Sequence, residues 1–71
     1  MEQRYAVEFY NNKNEMEFMC GVVNIDDVIT EFKNDPARKA IVFDFNKLDA
    51  YRDPVAIFEK LPRKRSWTRT L

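Results

Sequence analysis

The chain has 71 residues, of which 45% are hydrophobic and ten are aromatic, so it can bury the core of one small domain. Its single cysteine excludes an internal disulfide, and a disulfide-stabilised secreted scaffold is not expected. It shows neither a signal-peptide pattern nor an uncharged apolar run long enough for a membrane span. We therefore expect a cytoplasmic protein that does not act at a membrane.

The net charge of zero conceals a strong separation of charge along the chain. Residues 1–35 carry three cations and eight acids, whereas residues 36–71 carry nine cations and four acids. Such an asymmetry predicts either binding surfaces of opposite sign or two halves that attract each other.

The first predicted element is a β-hairpin. Apolar and polar residues alternate over residues 4–10 ("RYAVEFY") and again over residues 15–23 ("EMEFMCGVV"), which is the period of a half-buried strand. The asparagine-rich "NNKN" between them is typical of a loop. A four-residue loop sets Glu8 directly across from Glu17, which gathers the hairpin glutamates on one face.

A helix is predicted after the hairpin. Asn24 is a favourable N-cap, and Asp26 and Asp27 suit the positive end of the helix dipole. The helix ends before Pro36, because the residue preceding a proline avoids the α-helical conformation. One face of this helix is apolar and is expected to pack on the sheet: Ile25, Val28, Ile29 and Phe32.

A third strand is predicted over residues 38–46, where apolar side chains again recur at every second position. We expect the bulkiest of them to face the core: Ile41, Phe43 and Phe45. The segment "LDAYRDP", residues 48–54, is predicted to be a connection.

A second helix is predicted over residues 53–62. Asp53 is its N-cap, Pro54 occupies the first helical position and Pro62 terminates it. The apolar residues between these signals fall on one side of a short helix.

Together these elements predict an α+β fold of order ββαβα, in which a three-stranded antiparallel or mixed sheet carries two short helices on one face. Residues 1–61 form the single domain, and residues 62–71 form a basic C-terminal tail. One arrangement of this tail is a fold-back across the hairpin, in which Trp67 covers Met19 and the tail cations meet the hairpin glutamates. The charge favours this arrangement, since removing the tail leaves an excess of acids.

The residues needed for catalysis are largely missing. There is no histidine, and the one glycine, Gly21, cannot build a phosphate-binding loop. Cys20 falls on the predicted core face, where a thiol is structural. We therefore expect no enzyme activity, no cofactor and no metal site.

The predicted function is protein binding without catalysis, by a small inhibitor or adaptor of the kind that phages and mobile elements encode. The hairpin offers a mixed acidic and apolar face, and the tail offers cations around a tryptophan. The expected contacts to a protein partner are Glu8, Tyr10, Glu15, Glu17, Met19, Arg63, Arg65 and Trp67.

Two other functions fit the same residues. The tail has the components of a single-stranded RNA or DNA contact, in which cations pair with phosphates and an indole stacks on a base, although the acidic body repels phosphate. Self-association, for example as a homodimer, by strand addition at an exposed sheet edge is the other alternative. The nucleic-acid contacts would be Arg38, Lys39, Lys60, Arg63, Lys64, Arg65, Trp67 and Arg69.

Overall fold

A computed structural model of the protein describes residues 3–47 and 53–71. The elements within these residues are β1 (Tyr5–Tyr10), β2 (Met16–Val22), α1 (Asp27–Glu31), β3 (Lys39–Asp44), β4 (Ala56–Glu59) and β5 (Thr68–Arg69). The five strands form one antiparallel sheet in the spatial order β2-β1-β3-β4-β5. The predicted ββαβα fold with a three-stranded sheet and two helices is therefore wrong, and the chain is a mostly-β small domain.

The second predicted helix is a strand in the structure. β4 lies inside residues 53–62, and its side chains alternate between buried (Ala56, Phe58) and half-buried (Ile57, Glu59). A helix of ten residues, such as the one predicted over 53–62, is marginal in isolation. As a strand, the same segment pairs with β3 on one side and with β5 on the other. Sheet pairing therefore outweighs the helix-capping signals that precede β4.

The predicted hairpin is present, but its register differs. β1 and β2 pair Glu8 with Met19, so the predicted pair of Glu8 with Glu17 is wrong. The register shifts at an irregularity between Phe9 and Tyr10. A bulge of this kind leaves the alternation of each strand recognisable while it changes which residues are partners, so the pattern alone does not reveal it.

The hairpin loop is held by Asn11. Its side-chain oxygen accepts hydrogen bonds from the backbone N–H groups of Lys13 (2.9 Å) and Glu15 (3.0 Å). Asn14 adopts a left-handed conformation with φ of 62°, which asparagine tolerates better than most residues. The asparagines that predicted a loop therefore also stabilise it.

The helix α1 is shorter than predicted. It begins at Asp27, and Asn24 is not its N-cap; instead the Asn24 N–H donates to the Asp27 carboxylate at 3.0 Å. Val28 is fully buried against the sheet, whereas Ile29, from the predicted apolar face, is 39% exposed. Within the described ranges, no helix has the length and hydropathy that crossing a membrane requires.

The core lies on one face of the sheet. Val7 and Phe9 of β1 share a buried cluster with their partners in β3, Val42 and Ala40. The predicted core face of β3 is therefore wrong, because strand pairing places the alternate residues in the cluster. The bulky residues expected there, Ile41, Phe43 and Phe45, do not belong to it, although Phe43 is buried (7% exposed) outside the cluster. Of the connection predicted over residues 48–54, residues 48–52 lie outside the described part of the chain.

Aromatic rings occupy the centre of this core. Phe9 stacks on Phe18 with ring centroids 4.5 Å apart, and it packs against Phe32 at 4.6 Å and against Trp67 at 6.2 Å. Small side chains surround the rings, since three fully buried members of the same cluster are alanines: Ala37, Ala40 and Ala56. The alanines leave the space that the rings fill.

The C-terminal segment returns to the sheet. β5 pairs with β4, and Trp67, directly before β5, is 7% exposed. The Trp67 indole N–H donates to the carbonyl of Phe32, just after α1, at 2.9 Å. The chain turns back at Arg63, which has a left-handed φ of 68°. The predicted boundary between the domain and the tail lies after residue 61. In the structure this point falls between β4 and β5, which pair with each other.

Arg38 links this returning segment to the start of β3. Its guanidinium donates to the carbonyls of Lys60 (3.1 Å) and Leu61 (3.2 Å). Its backbone carbonyl accepts a hydrogen bond from the Lys60 N–H at 2.9 Å. These three bonds fix the point at which the chain leaves β4.

We expect Trp67→Ala to lower the free energy of unfolding by about 3–5 kcal/mol, because it removes a buried aromatic side chain and opens a cavity. A domain of this size has about 4–10 kcal/mol in total, so most of its stability would be lost. Urea denaturation followed by circular dichroism measures the change. Leu71→Ala is the control, since Leu71 is 56% exposed and its loss should cost less than about 0.5 kcal/mol. Equal stability of the two variants would contradict the buried position of Trp67.

Candidate functional site

β2 forms one edge of the sheet and exposes apolar side chains along its length. It pairs with β1 on one side, and within the described residues its other backbone edge has no strand beside it. Met16 and Met19 are each 55% exposed, and Phe18 is 36% exposed. β2 contains no lysine or proline, the residues that commonly prevent an edge strand from pairing with another chain.

The sheet face opposite α1, here called the open face, carries a partly exposed row of side chains. Strand pairing sets Met19, Glu8, Ile41 and Ile57 side by side across four strands. Ile41 and Ile57 are half-buried, whereas Val42 on the core face is fully buried. The row thus runs from the isoleucines through Glu8 to the exposed edge at Met19.

Two of the predicted partner contacts, Glu8 and Tyr10, meet on the open face. The Tyr10 hydroxyl donates to a Glu8 carboxylate oxygen at 2.8 Å, and both residues are half-buried. This hydrogen bond, with burial as a second cause, raises the pKa of Tyr10. The pair places one carboxylate within the otherwise apolar row that contains Met19.

The other two predicted glutamates lie at the loop end of the hairpin. The Glu15 carboxylate accepts a hydrogen bond from the side-chain amide of Asn11 at 3.3 Å. Glu17 is exposed in β2. Together with Glu8 they give this part of the hairpin an acidic character, although they do not form the cross-strand pair that was predicted.

One ion pair occurs in residues 3–47 and 53–71, and it lies away from the hairpin loop. Arg4 donates to Asp44 at 3.3 Å. The N–H of Asn46 and, to a smaller extent, the Arg4 guanidinium lower the pKa of Asp44, against the opposing effect of its burial. The hairpin glutamates therefore have no cationic partner among the described residues.

The predicted tail contacts separate into exposed and buried side chains. Arg63 and Arg65 are exposed to solvent. Trp67 is held in the core by the Phe32 carbonyl and is not presented at the surface. Met19, which the fold-back hypothesis placed beneath Trp67, lies on the open face instead.

Four cations meet around a cavity between the loop that follows α1 and the C-terminal segment. The cavity has a volume of about 380 Å³, and we call it the basic pocket. Its lining residues are Lys33, Asn34, Asp35, Pro36, Arg38, Lys60, Arg65 and Ser66. Asp35 is the one acid among them, so the lining carries a clear excess of positive charge.

Lys60 is the most buried cation of the basic pocket, with 8% of its surface exposed. Its ammonium group donates to the backbone carbonyl of Asp35 and lies 4.6 Å from the centre of the Trp67 ring. Burial lowers the pKa of Lys60; the Asp35 carboxylate opposes this effect and Arg38 adds to it. Lys60 is thus a desolvated cation placed between the core and the pocket.

The remaining cations of the nucleic-acid alternative are more dispersed. Lys39 lines a second cavity, of about 340 Å³, together with Arg38 and Lys60. Lys64 is exposed, while the Arg69 guanidinium donates to backbone carbonyls. The structure therefore brings Arg38, Lys39, Lys60 and Arg65 into one region and leaves the other tail cations outside the two cavities.

Sequence reasoning missed three residues of these surfaces. Phe18 was assigned to the core face, yet the edge position of β2 leaves it and Met16 partly exposed. Lys33 was assigned to the solvent side of a helix, and no local pattern connects it with Lys60. Apolar residues on both faces of one predicted strand were the available signal for the exposed edge.

The surroundings of Cys20 do not activate its thiol. Burial raises the pKa of Cys20, and the nearby carboxylates of Glu31 and Asp35 raise it further. A thiol with a raised pKa is a poor nucleophile at neutral pH. In the part of the chain that the structure describes, no three His, Cys, Asp or Glu residues are grouped so that they could hold a metal ion.

Comparison of the chain with protein-family models, with curated proteins and with solved structures gives no match.

We expect Cys20 to react slowly with a thiol reagent such as dithionitrobenzoate at pH 8. Because its pKa is raised in the folded protein, a smaller fraction is thiolate than in the unfolded chain, and partial burial hinders access. The second-order rate constant in buffer should be at least about tenfold lower than in denaturing urea. Cys20→Ser gives the background rate. Equal rates in buffer and in urea would show that the thiol is not buried and that its pKa is not raised in the folded protein.

Proposed function

We propose that the protein is a non-catalytic protein-binding module, an inhibitor or adaptor of the cytoplasm, which receives an extended segment of its partner on the free edge of β2. The observation that carries this proposal is the exposure of Met16, Phe18 and Met19 along an edge strand of seven residues. An exposed apolar edge strand promotes aggregation unless another strand covers it, and β2 is protected only by Glu17 and by the irregularity in its pairing at the loop end. A partner strand that pairs with β2 would cover both the unpaired backbone and the exposed side chains.

The charge around β2 defines the chemistry of the partner segment. Residues 14–32 carry five acids and no cation. Glu15 and Glu17 flank the exposed methionine at the loop end of β2. A segment in which lysine or arginine alternates with apolar residues would match both the acids and the apolar side chains.

The same charge argues against a homodimer through β2. Two copies paired along this edge would bring Glu15 and Glu17 of both molecules to one interface, where like charges oppose association. A basic partner avoids this repulsion, so a different protein is the better occupant.

The nucleic-acid alternative has weaker support. Its proposed stacking residue, Trp67, is 7% exposed and hydrogen-bonded to Phe32, so its indole face is not available to a base in this fold. The acidic residues of β2 and α1 also repel phosphate.

Site-specific photo-crosslinking tests the proposed edge. A benzoylphenylalanine at position 19 should crosslink a protein from the cytoplasm of the source cells, and the crosslinked peptide should be extended and basic. The matched control is the same probe at position 71, because Met19 and Leu71 are almost equally exposed (55% and 56%) but lie at different edges of the sheet. Crosslinks of equal yield at both positions would indicate a nonspecific surface.

The crosslinked peptide, made synthetically, then tests the mode of binding. Hydrogen exchange of the β2 amides should slow when the peptide binds, and Glu17→Lys should weaken the affinity by about tenfold or more. Arg63→Glu leaves β2 unaltered and should not weaken it. Protection confined to the C-terminal segment would overturn the proposal.

A further inference from the structure

We propose that the basic pocket is a binding site for the phosphate group of a small phosphorylated ligand. This inference is independent of the function proposed for β2, which lies at the other edge of the sheet. It rests on three observations: a cavity of small-ligand size, an excess of positive charge in its lining, and a buried lysine that forms no ion pair with a described carboxylate.

Two segments of the chain, which are distant in sequence, form the walls of the basic pocket. The loop after α1 supplies Lys33, and the C-terminal segment supplies Arg65 and Ser66 on another side. The hydrogen bond from Trp67 to Phe32 holds these two segments together. The pocket volume of about 380 Å³ falls within the range of small-molecule sites, which is about 300–1,000 Å³.

The positive charge of the pocket is only partly compensated by its one acid. Lys33, Arg38, Lys60 and Arg65 face one acid, Asp35, and none of the four forms an ion pair with a described carboxylate. Such an excess of one sign in a concave surface attracts ions of the opposite sign more strongly than the same charges on a flat surface.

Lys60 strengthens the case for an anion. It is 8% exposed; the Asp35 carbonyl accepts one of its three N–H donors and its ammonium group lies over the Trp67 ring, but it forms no ion pair with a described carboxylate. A buried ammonium group without an anionic partner is unfavourable. An anion in the pocket would supply the missing charge.

The side chains favour phosphate over other anions. Arginine presents a planar fork of donors that matches phosphate oxygens, lysine adds a point charge, and the Ser66 hydroxyl and Asn34 amide are neutral donors. No aromatic side chain is among the lining residues that the structure describes, so the pocket offers no stacking surface for the bases of a nucleic-acid strand. A small ligand carrying phosphate fits better than a polynucleotide.

Calorimetric titration at low ionic strength with inorganic phosphate and with tripolyphosphate tests the inference. Saturable binding of one equivalent is expected, with tripolyphosphate bound more tightly. The double variant Lys33→Ala/Arg65→Ala should weaken the affinity by at least about tenfold, since hydrogen bonds to charged groups are lost. Both residues are exposed, so this variant should fold normally.

The control is Lys13→Ala/Lys47→Ala, which removes the same charge at exposed positions that line neither cavity. It should change the affinity by less than about twofold, because distant exposed charges are screened. Equal weakening by both double variants would show that overall charge, and not the pocket, determines the affinity for phosphate, and it would contradict the proposed site. Failure to bind either phosphate probe would overturn it too, and so would binding of single-stranded oligothymidine with no binding of tripolyphosphate.

Discussion

The insertion of Trp67 between the sheet and the end of α1 is the contact on which the rest of the structure depends. Its ring packs near Phe9 in a central strand, and its indole N–H is bonded to Phe32. These contacts join residues that are far apart in sequence. They also place β5 beside β4 and set one wall of the basic pocket, so the same side chain completes the core and shapes the surface.

The strand order converts a separation of charge along the chain into a separation across the sheet. The acidic first half supplies β1, β2 and α1, and the basic second half supplies β3, β4 and β5. Because the order is β2-β1-β3-β4-β5, the two halves lie side by side and their outer strands form opposite edges. An acidic, apolar edge and a basic cavity can therefore exist in one small molecule without neutralising each other, which is consistent with one ion pair among the described residues.

Local patterns predicted some elements well and failed where sheet pairing decides the outcome. The hairpin and β3 follow from alternation, and the asparagines of the loop act as expected. β4 carried helix signals at its start, but its neighbours in the sheet determine its conformation. The face of β3 was inverted because bulky residues were expected inside, whereas Ala40 and Val42 are the ones that leave room for the rings.

The candidate surfaces could be predicted only in part, because some of their features depend on contacts between distant segments. Charge and exposure at Glu17 and Arg65 follow from residue type, and the outward position of Met19 follows from the alternation of the strand. The burial of Trp67 and the meeting of Lys33 with Lys60 depend on contacts between distant segments. No pattern within a short window contains that information.

The three buried alanines around the aromatic rings have a consequence for how this chain can change. Ala37, Ala40 and Ala56 are each fully buried in the cluster that holds Trp67. Extra methylene groups in a well-packed core cost about 1–3 kcal/mol, and here each added methyl group competes for volume with an indole or a phenyl ring. Size, more than hydrophobicity, therefore limits which residues these positions accept.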